Sequence, residues 1–222
     1  MTAGAQDTLV IVGGTGPLGR GLALRFAAAG VAVVIGSRDR ARAEAAAAEI
    51  RAAVPAARVE GAENADAVRR SRRIVLAMPA AGLAEFLAAV APALAGALVV
   101  DVTVPLRVRH GFAEIVPLDG AASAGELVQA CLPAARVVSA FKNLPAERLA
   151  DLAEPLEGDV VLCGDDEAAR TEVAALVAML PGLRAVDAGR LANARYLEAI
   201  TALLVNLNRR HKRRTSIAIL GL

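Results

Sequence analysis

A chain of 222 residues is long enough to bury a substantial core, either as one large domain or as a dinucleotide-sized domain with a small second one. Its apolar fraction of 56% is driven by alanine and valine, and no uninterrupted apolar run approaches the roughly 18 residues that span a bilayer, so no membrane span is expected. A net charge of +2 and an aromatic content of 2%, with no tryptophan and Tyr196 as its one tyrosine, supply neither the basic surface nor the stacking platforms of a nucleic-acid binder.

In chain order, residues 1–8 lack the basic start, apolar stretch and cleavage site of a secretory leader. Cys131 and Cys163 are far apart in apolar surroundings and read as buried free thiols of a reducing compartment, so a cytoplasmic location is expected. A β-branched run at 9–12 predicts the first strand. It leads into Gly13-Gly14-Thr15-Gly16-Pro17-Leu18-Gly19, with G-x-G-x-x-G spacing from Gly14 to Gly19, and then into a predicted helix over 18–29. A second strand follows at 31–35, which is the context this motif requires. Gly14 is expected to permit the tight turn, Gly16 to let the backbone approach a pyrophosphate, and Gly19 to let helix and strand pack closely. The helix start offers free amides and partial positive charge to the anion.

Ser37-Arg38 stands at the end of the second strand, where an NAD site usually carries an acid. A hydroxyl and a guanidinium suit a ribose 2′-phosphate, so NADP is expected, with Arg42 one helical turn further on and Arg40 as a lesser helper. The alternative is an NAD site in which Asp39 accepts from the ribose and the arginines are solvated.

Further strands are predicted at 74–77, 98–102, 137–140, 160–163 and 183–186, and helices at 40–53, 81–93, 123–130 and 167–179. The alternation and the near-continuous apolar strands specify an α/β fold, a Rossmann-type doubly wound and mostly parallel sheet covered on both faces. Prolines at 145 and 155 place a boundary near 148, giving a dinucleotide-binding domain over 1–148 and a smaller C-terminal domain over 149–222. The last long helix, 191–208, presents Leu197, Ile200, Leu203, Leu204 and Leu207 on one face, and its apolar surface suits a homodimer.

Acid–base chemistry is scarce. Tyr196 has Ile200, not lysine, four residues on, His110 and His211 have no partners at metal-ligand spacing, and no nucleophile elbow occurs, so no catalytic residue and no metal are assigned. That scarcity beside a dinucleotide motif points to hydride transfer governed by alignment of two flat rings. The turns after the later strands supply the lining expected in a doubly wound fold: Met78-Pro79, Val104-Pro105 and the stretch from Ala140 through Phe141, Lys142, Asn143, Leu144 and Pro145. Lys142 and Asn143 suit the polar edge of a heterocycle, or else Lys142 caps a strand end in solvent.

These residues together resemble the NADPH-dependent coenzyme F420 reductase family, also called F420-dependent NADP oxidoreductase, through nearly the whole chain. The resemblance rests on Gly13-Gly14-Thr15-Gly16 with Gly21-Leu22-Ala23, Gly36-Ser37-Arg38, Val138-Ser139-Ala140-Phe141, Cys163-Gly164-Asp165-Asp166, Asp187-Ala188-Gly189 and Leu204-Val205-Asn206-Leu207-Asn208-Arg209-Arg210. It implies nicotinamide on the Rossmann domain, the deazaflavin coenzyme F420 in a cleft closed by the C-terminal domain, and direct hydride transfer between them. It further implies NADP contacts at Thr15, Pro17, Leu18, Ser37, Arg38, Arg42, Met78 and Pro79, and a deazaflavin pocket at Lys142, Asn143, Leu144, Pro145, Asn193 and Leu207. The chain departs from the family at Lys142 and Asn143, where a histidine and often a second histidine or a threonine are typical. A flavin or another acceptor is therefore an alternative electron partner, and an NADP(H)-sensing protein without turnover is a third reading.

The basic run Arg209-Arg210-His211-Lys212-Arg213-Arg214 has two readings. Its cations complement the negative end of the last helix in solvent, or they attract the phosphodiester and glutamates of the deazaflavin coenzyme.

Overall fold

The computed structural model describes residues 8–222. The reading of residues 1–8 as lacking a leader falls, Thr8 apart, outside them. Strands and helices alternate from the start: β1 (Thr8–Val12), α1 (Pro17–Ala28), β2 (Ala32–Ser37), α2 (Arg40–Ala53), β3 (Val59–Glu63), α3 (Asn64–Ala67), β4 (Arg73–Leu76), α4 (Leu83–Leu94) and β5 (Leu98–Asp101). A two-stranded hairpin, β6 (Leu106–Arg109) and β7 (Phe112–Ile115), interrupts the alternation. It resumes with α5 (Ala124–Cys131), β8 (Arg136–Ser139), α6 (Ala146–Leu149), β9 (Gly158–Gly164), α7 (Glu167–Ala178) and β10 (Leu183–Asp187), and a short turn at Leu191–Asn193 leads into α8 (Ala194–His211).

Eight strands form one sheet in the order β10-β9-β8-β5-β4-β1-β2-β3. Neighbours run parallel except β8 and β9, which pair antiparallel through Val138↔Gly164 and Ser139↔Cys163. The expected mostly parallel, doubly wound sheet is the fold observed. Chain order reverses between β1 and β4, the switch point at which ligands of such sheets bind outside the strand ends.

Strand residues alternate between two apolar layers. Leu9 and Ile11 enter one core with Phe26, Ile35 and Val75, while Val10 and Val12 enter the other with Ile74, Leu76 and Leu87. Both faces of β1 are thus dry, which is why the run reads as continuously hydrophobic.

The C-terminal segment continues this framework: β9 and β10 extend the sheet beyond β8, and α8 contacts α5, β7 and β9. The proline-marked stretch before β9 is docked rather than slack. A Cβ on Gly21 of α1 would lie 2.5 Å from the Leu149 Cβ of α6. The Arg25 guanidinium donates to the carbonyls of Arg148 (2.6 Å), Leu149 (3.1 Å) and Glu154 (2.7 Å), and to that of Asp151. At the far edge, Asp159 accepts from Arg184 Nε at 2.7 Å and Nη2 at 2.8 Å, and its amide donates to the Ile217 carbonyl at 2.8 Å, which fixes the final residues against β9 and β10. No helix among the described residues is long and apolar enough to cross a membrane.

On α8 the expected apolar face is only partly inward. Leu197 and Leu204 are buried and Ile200 and Leu207 half-buried, but Leu203 is 57% exposed.

Candidate active site

The turn between β1 and α1 is built by glycines with separable tasks, distributed differently from the sequence expectation. The left-handed residue is Gly13, at φ +72°, not Gly14. A Cβ on Gly13 would also stand 2.6 Å from the Ala77 carbonyl oxygen after β4, so the loop presses against its neighbour. Gly14 and Gly19 serve packing: Cβ atoms there would meet Ile11 O at 2.8 Å and Gly13 O at 2.9 Å respectively. Gly16 precedes α1 without a capping side chain and Pro17 brings no N–H, so the helix start is left with uncapped amides, and Leu18, which lines the cleft, stands where an anion would meet them, while Gly19 is buried. Asn64, at the start of α3, props the loop from the other side: its Oδ1 accepts from Gly13 N at 3.3 Å. Sequence reading missed Asn64, because a lone asparagine beyond an unrecognised strand carries no local signal.

From this loop a cleft of about 410 Å³ runs across the switch point. Of the residues expected to bind cofactor, it is lined by Thr15, Gly16, Pro17, Leu18, Ser37, Arg38, Arg42, Met78, Pro79 and Val104, joined by Gly13, Asn64, Ala77, Ala81, Val102 and Thr103. Arg38 and Arg42 are the ionisable side chains in that lining, and both are exposed at its rim. Ser37 is buried and its Oγ accepts from Asp39 N at 3.3 Å. Asp39 itself caps α2, its Oδ1 accepting from Ala41 N at 2.8 Å and Arg42 N at 3.3 Å. That task holds the carboxylate at the helix start, outside the lining. Arg40 is exposed and also lies outside it.

Four expected cofactor residues lie outside this lining: Gly14 and Gly19, which pack within the turn, and Pro105 and Ala140. Pro105 is buried at the hairpin base, where its carbonyl accepts from Val116 N, and Ala140 is fully buried with its amide on the Asp101 carbonyl.

Past β8 the chain departs furthest from expectation. Phe141 is fully buried: at φ +56° it turns into the core and meets Phe26 edge-on, with ring centroids 6.1 Å apart. Lys142 does not cap a strand end in solvent: its side chain is buried and its ammonium is held by protein groups. With 1% of the side chain exposed, Nζ donates to Asp101 Oδ2 at 2.6 Å, to Glu198 Oε1 at 3.2 Å, and to the Thr103 carbonyl. Asp101 also accepts from Thr103 N (2.9 Å) and Ser139 Oγ (3.0 Å), and Glu198 accepts from Ala124 N at the start of α5 (2.9 Å). Burial pushes the Glu198 carboxyl above its usual range, with Lys142 opposing the shift and Asp101 reinforcing it. This cluster joins the ends of β5 and β8 to α8, and through Thr103 it forms part of the wall of the cleft.

On the other side of that wall lies a second cavity of about 550 Å³. It gathers the expected Lys142, Asn143, Leu144 and Pro145, with Thr201, Leu204 and Asn208 of α8 and the basic residues that follow. The Asn143 amide is committed to the Asp159 carbonyl at 2.7 Å. Asn193 donates to the Ala188 carbonyl at 2.6 Å, and neither it nor Leu207 lines this cavity.

Both cysteines are free, Cys163 buried and Cys131 half-buried, and burial raises the Cys163 thiol to about 12, so it is no nucleophile. No group of three or more metal-ligating side chains occurs among the described residues.

A family model described as NADP oxidoreductase coenzyme F420-dependent matches residues 8–105. The F420-dependent NADP reductase of Methanocaldococcus jannaschii is 37% identical over 96% of this chain and 98% of its own length. That of Methanothermobacter thermautotrophicus is 37% identical over 94% of this chain and 92% of its own. A crystal structure from Arthrobacter sp. FB24, of a candidate F420-dependent NADP reductase, superposes with a TM-score of 0.79 at 29% identity, covering 97% of this chain and 99% of that one. With this identity sustained across almost the full length of its relatives, the chain belongs to the F420-dependent NADP reductase family.

Proposed function

We propose that this protein transfers a hydride between NADP(H) and the deazaflavin coenzyme F420. The observation that carries the reading is the composition of the cleft: a glycine turn and helix start at one end, a serine and two arginines beside it, and no acid or base among the side chains that line it. Such a site can hold a phosphorylated dinucleotide and align it, but it offers no proton donor for carbonyl reduction. Hydride transfer between two rings needs only that the reacting carbons meet at about 3–3.5 Å in a water-poor cleft, with solvent balancing the one proton taken up. Ser37, Arg38 and Arg42 grip the 2′-phosphate, and the start of α1 at Leu18 faces the pyrophosphate. Met78, Pro79 and Val102 to Val104 wall the nicotinamide end. The deazaflavin enters over Lys142 to Pro145, with residues 149–222 as the part that closes the cleft. The names of the relatives supply the choice of deazaflavin over other acceptors.

Mixing the protein with NADPH and the oxidised deazaflavin and following visible absorbance tests this. Bleaching that NADH does not reproduce supports it. Consumption of NADPH by flavins alone, or binding without turnover, overturns it. A cytoplasmic homodimer belongs to the same proposal. Its support is the pair Tyr196 and Leu203, two turns apart on α8 and 61% and 57% exposed, beside Phe112 of the hairpin at 61%.

A further inference from the structure

We infer that the basic end of the second cavity is a polyanion subsite that holds the phosphodiester and glutamate tail of the deazaflavin, an inference that rests on the reaction proposed above. A solvated helix end would explain the charges but not the path of the backbone. α8 stops because Lys212 is held left-handed, at φ +50°, a conformation that residues bearing a Cβ seldom adopt. Asn208 enforces the reversal. Its Oδ1 accepts from Thr215 N and Thr215 Oγ1, both at 2.7 Å, and its carbonyl accepts from Arg213 N at 3.2 Å. The chain therefore folds back, and Arg209, Lys212, Arg213 and Arg214 come to line a concave surface instead of fanning into water.

The charges on that surface do not balance. Against the four cations the lining offers one exposed carboxylate, Glu147, and Arg214 already pairs with it and lies 3.6 Å from Glu154. Arg209, Lys212 and Arg213 take part in no ion pair among the described residues. The negative end of α8 offsets only part of this, since the helix end carries about half an elementary charge. A ligand with a phosphodiester and several carboxylates matches it, whereas the single 2′-phosphate of the dinucleotide is already met by Arg38 and Arg42 in the other cleft. The Leu144–Pro145 wall leads from the basic end toward Lys142 and the partition with the dinucleotide cleft, so a ring held at the cleft can trail its tail along this groove.

The test compares the full coenzyme with the same deazaflavin ring carrying only its sugar-alcohol chain, each with NADPH at low and high salt. For the wild type, kcat/KM favours the tailed form, and the preference shrinks as salt rises. In Arg209→Ser/Arg213→Ser the ratio of tailed to tailless kcat/KM falls by about tenfold, while Arg69→Ser, an exposed arginine lining neither cavity, leaves it unchanged. Equilibrium dialysis of the oxidised tailed coenzyme without NADPH reads the same loss as weaker binding. Should the double variant fold poorly, the salt dependence of the wild-type ratio and the single Arg213→Gln variant decide. Deazaflavin reduction with a ratio near one, or a ratio the substitutions leave intact, overturns the subsite. Absence of any deazaflavin reduction by the wild type overturns the proposed reaction itself, and the tail subsite with it.

Discussion

Replacing Lys142 with methionine isolates the buried charge cluster. The ammonium makes three contacts, to Asp101, Glu198 and the Thr103 carbonyl, with about 1% of the side chain exposed. Methionine fits the space but leaves two facing carboxylates. Asp101 keeps its bonds from Thr103 N and Ser139 Oγ, and Glu198 keeps that from Ala124 N, so neither is orphaned, yet no positive charge remains between them. Removing one partner from a buried ionic group costs about 3–5 kcal/mol, a large part of the roughly 5–15 kcal/mol that holds a typical domain folded. Urea unfolding at mildly alkaline pH should show that loss. Because burial raises the Glu198 carboxyl, the folded chain holds that proton more tightly than the unfolded one. The contribution of Glu198 to stability is therefore full below the ordinary carboxylate range and declines as pH rises through the folded value. Glu198→Gln removes that decline, so its stability relative to wild type should improve with rising pH, and the penalty of Lys142→Met should shrink on acidification. A Lys142→Met variant within about 1 kcal/mol of wild type at alkaline pH would refute the cluster as a charge-balanced unit.

Three further outcomes follow from the geometry. Arg38→Ala/Arg42→Ala should weaken NADPH binding by roughly one to two orders of magnitude and leave NADH binding in place, as calorimetry can measure, because only the phosphorylated ribose loses charge-assisted bonds. Gly19→Ala puts a Cβ 2.9 Å from both Gly13 O and Gly14 Cα, and overpacking of this kind costs about 1–3 kcal/mol in thermal unfolding together with weaker dinucleotide affinity. The Arg184 hydrogen bonds hold the Asp159 carboxyl below its usual range, so its stabilisation is present above the ordinary carboxylate range and lost as pH falls through the folded value. Asp159→Asn should flatten the acid limb of the stability profile and speed amide exchange at Ile219, whose N–H bonds Asp159 Oδ2 at 2.5 Å.

The sequence was most informative where one face pattern dominated. Buried parallel strands such as 98–102 and 137–140 are apolar on both sides, so their limits agree with β5 and β8 within a residue. The third strand was missed because Val59–Glu63 lies at the sheet edge and alternates valine and alanine with two exposed glutamates. The hairpin was missed because β6 is exposed along most of its length and carries two arginines. At the site, local motifs were legible because their spacing encodes their geometry, as with Gly14 to Gly19 or Ser37-Arg38. What long-range packing decides was not. The role of Lys142 depends on Asp101 and Glu198, 41 and 56 residues away in sequence, and Asn64 meets Gly13 across 51.

Those distant contacts bear on how the two cavities can work together. A substrate pair that exchanges hydride must meet ring to ring, so the partition between the two cavities can only flank the rings and not separate them. Here that partition consists of Thr103, on the cleft, tied to Lys142, on the cavity, with Glu198 bringing in α8. A histidine at position 142 would have one or two ring N–H groups to meet two carboxylates and a carbonyl, whereas lysine satisfies all three. In this chain the cation at position 142 is therefore spent on holding the partition. In the proposed function, recognition of the second ring would then fall to the backbone and apolar side chains of Leu144 and Pro145, and recognition of its charge, in the proposed subsite, to the arginines beyond α8. It follows that a Lys142→His variant should suffer first in stability and only secondarily in affinity for either substrate, the order opposite to that expected of a residue that touches the ring.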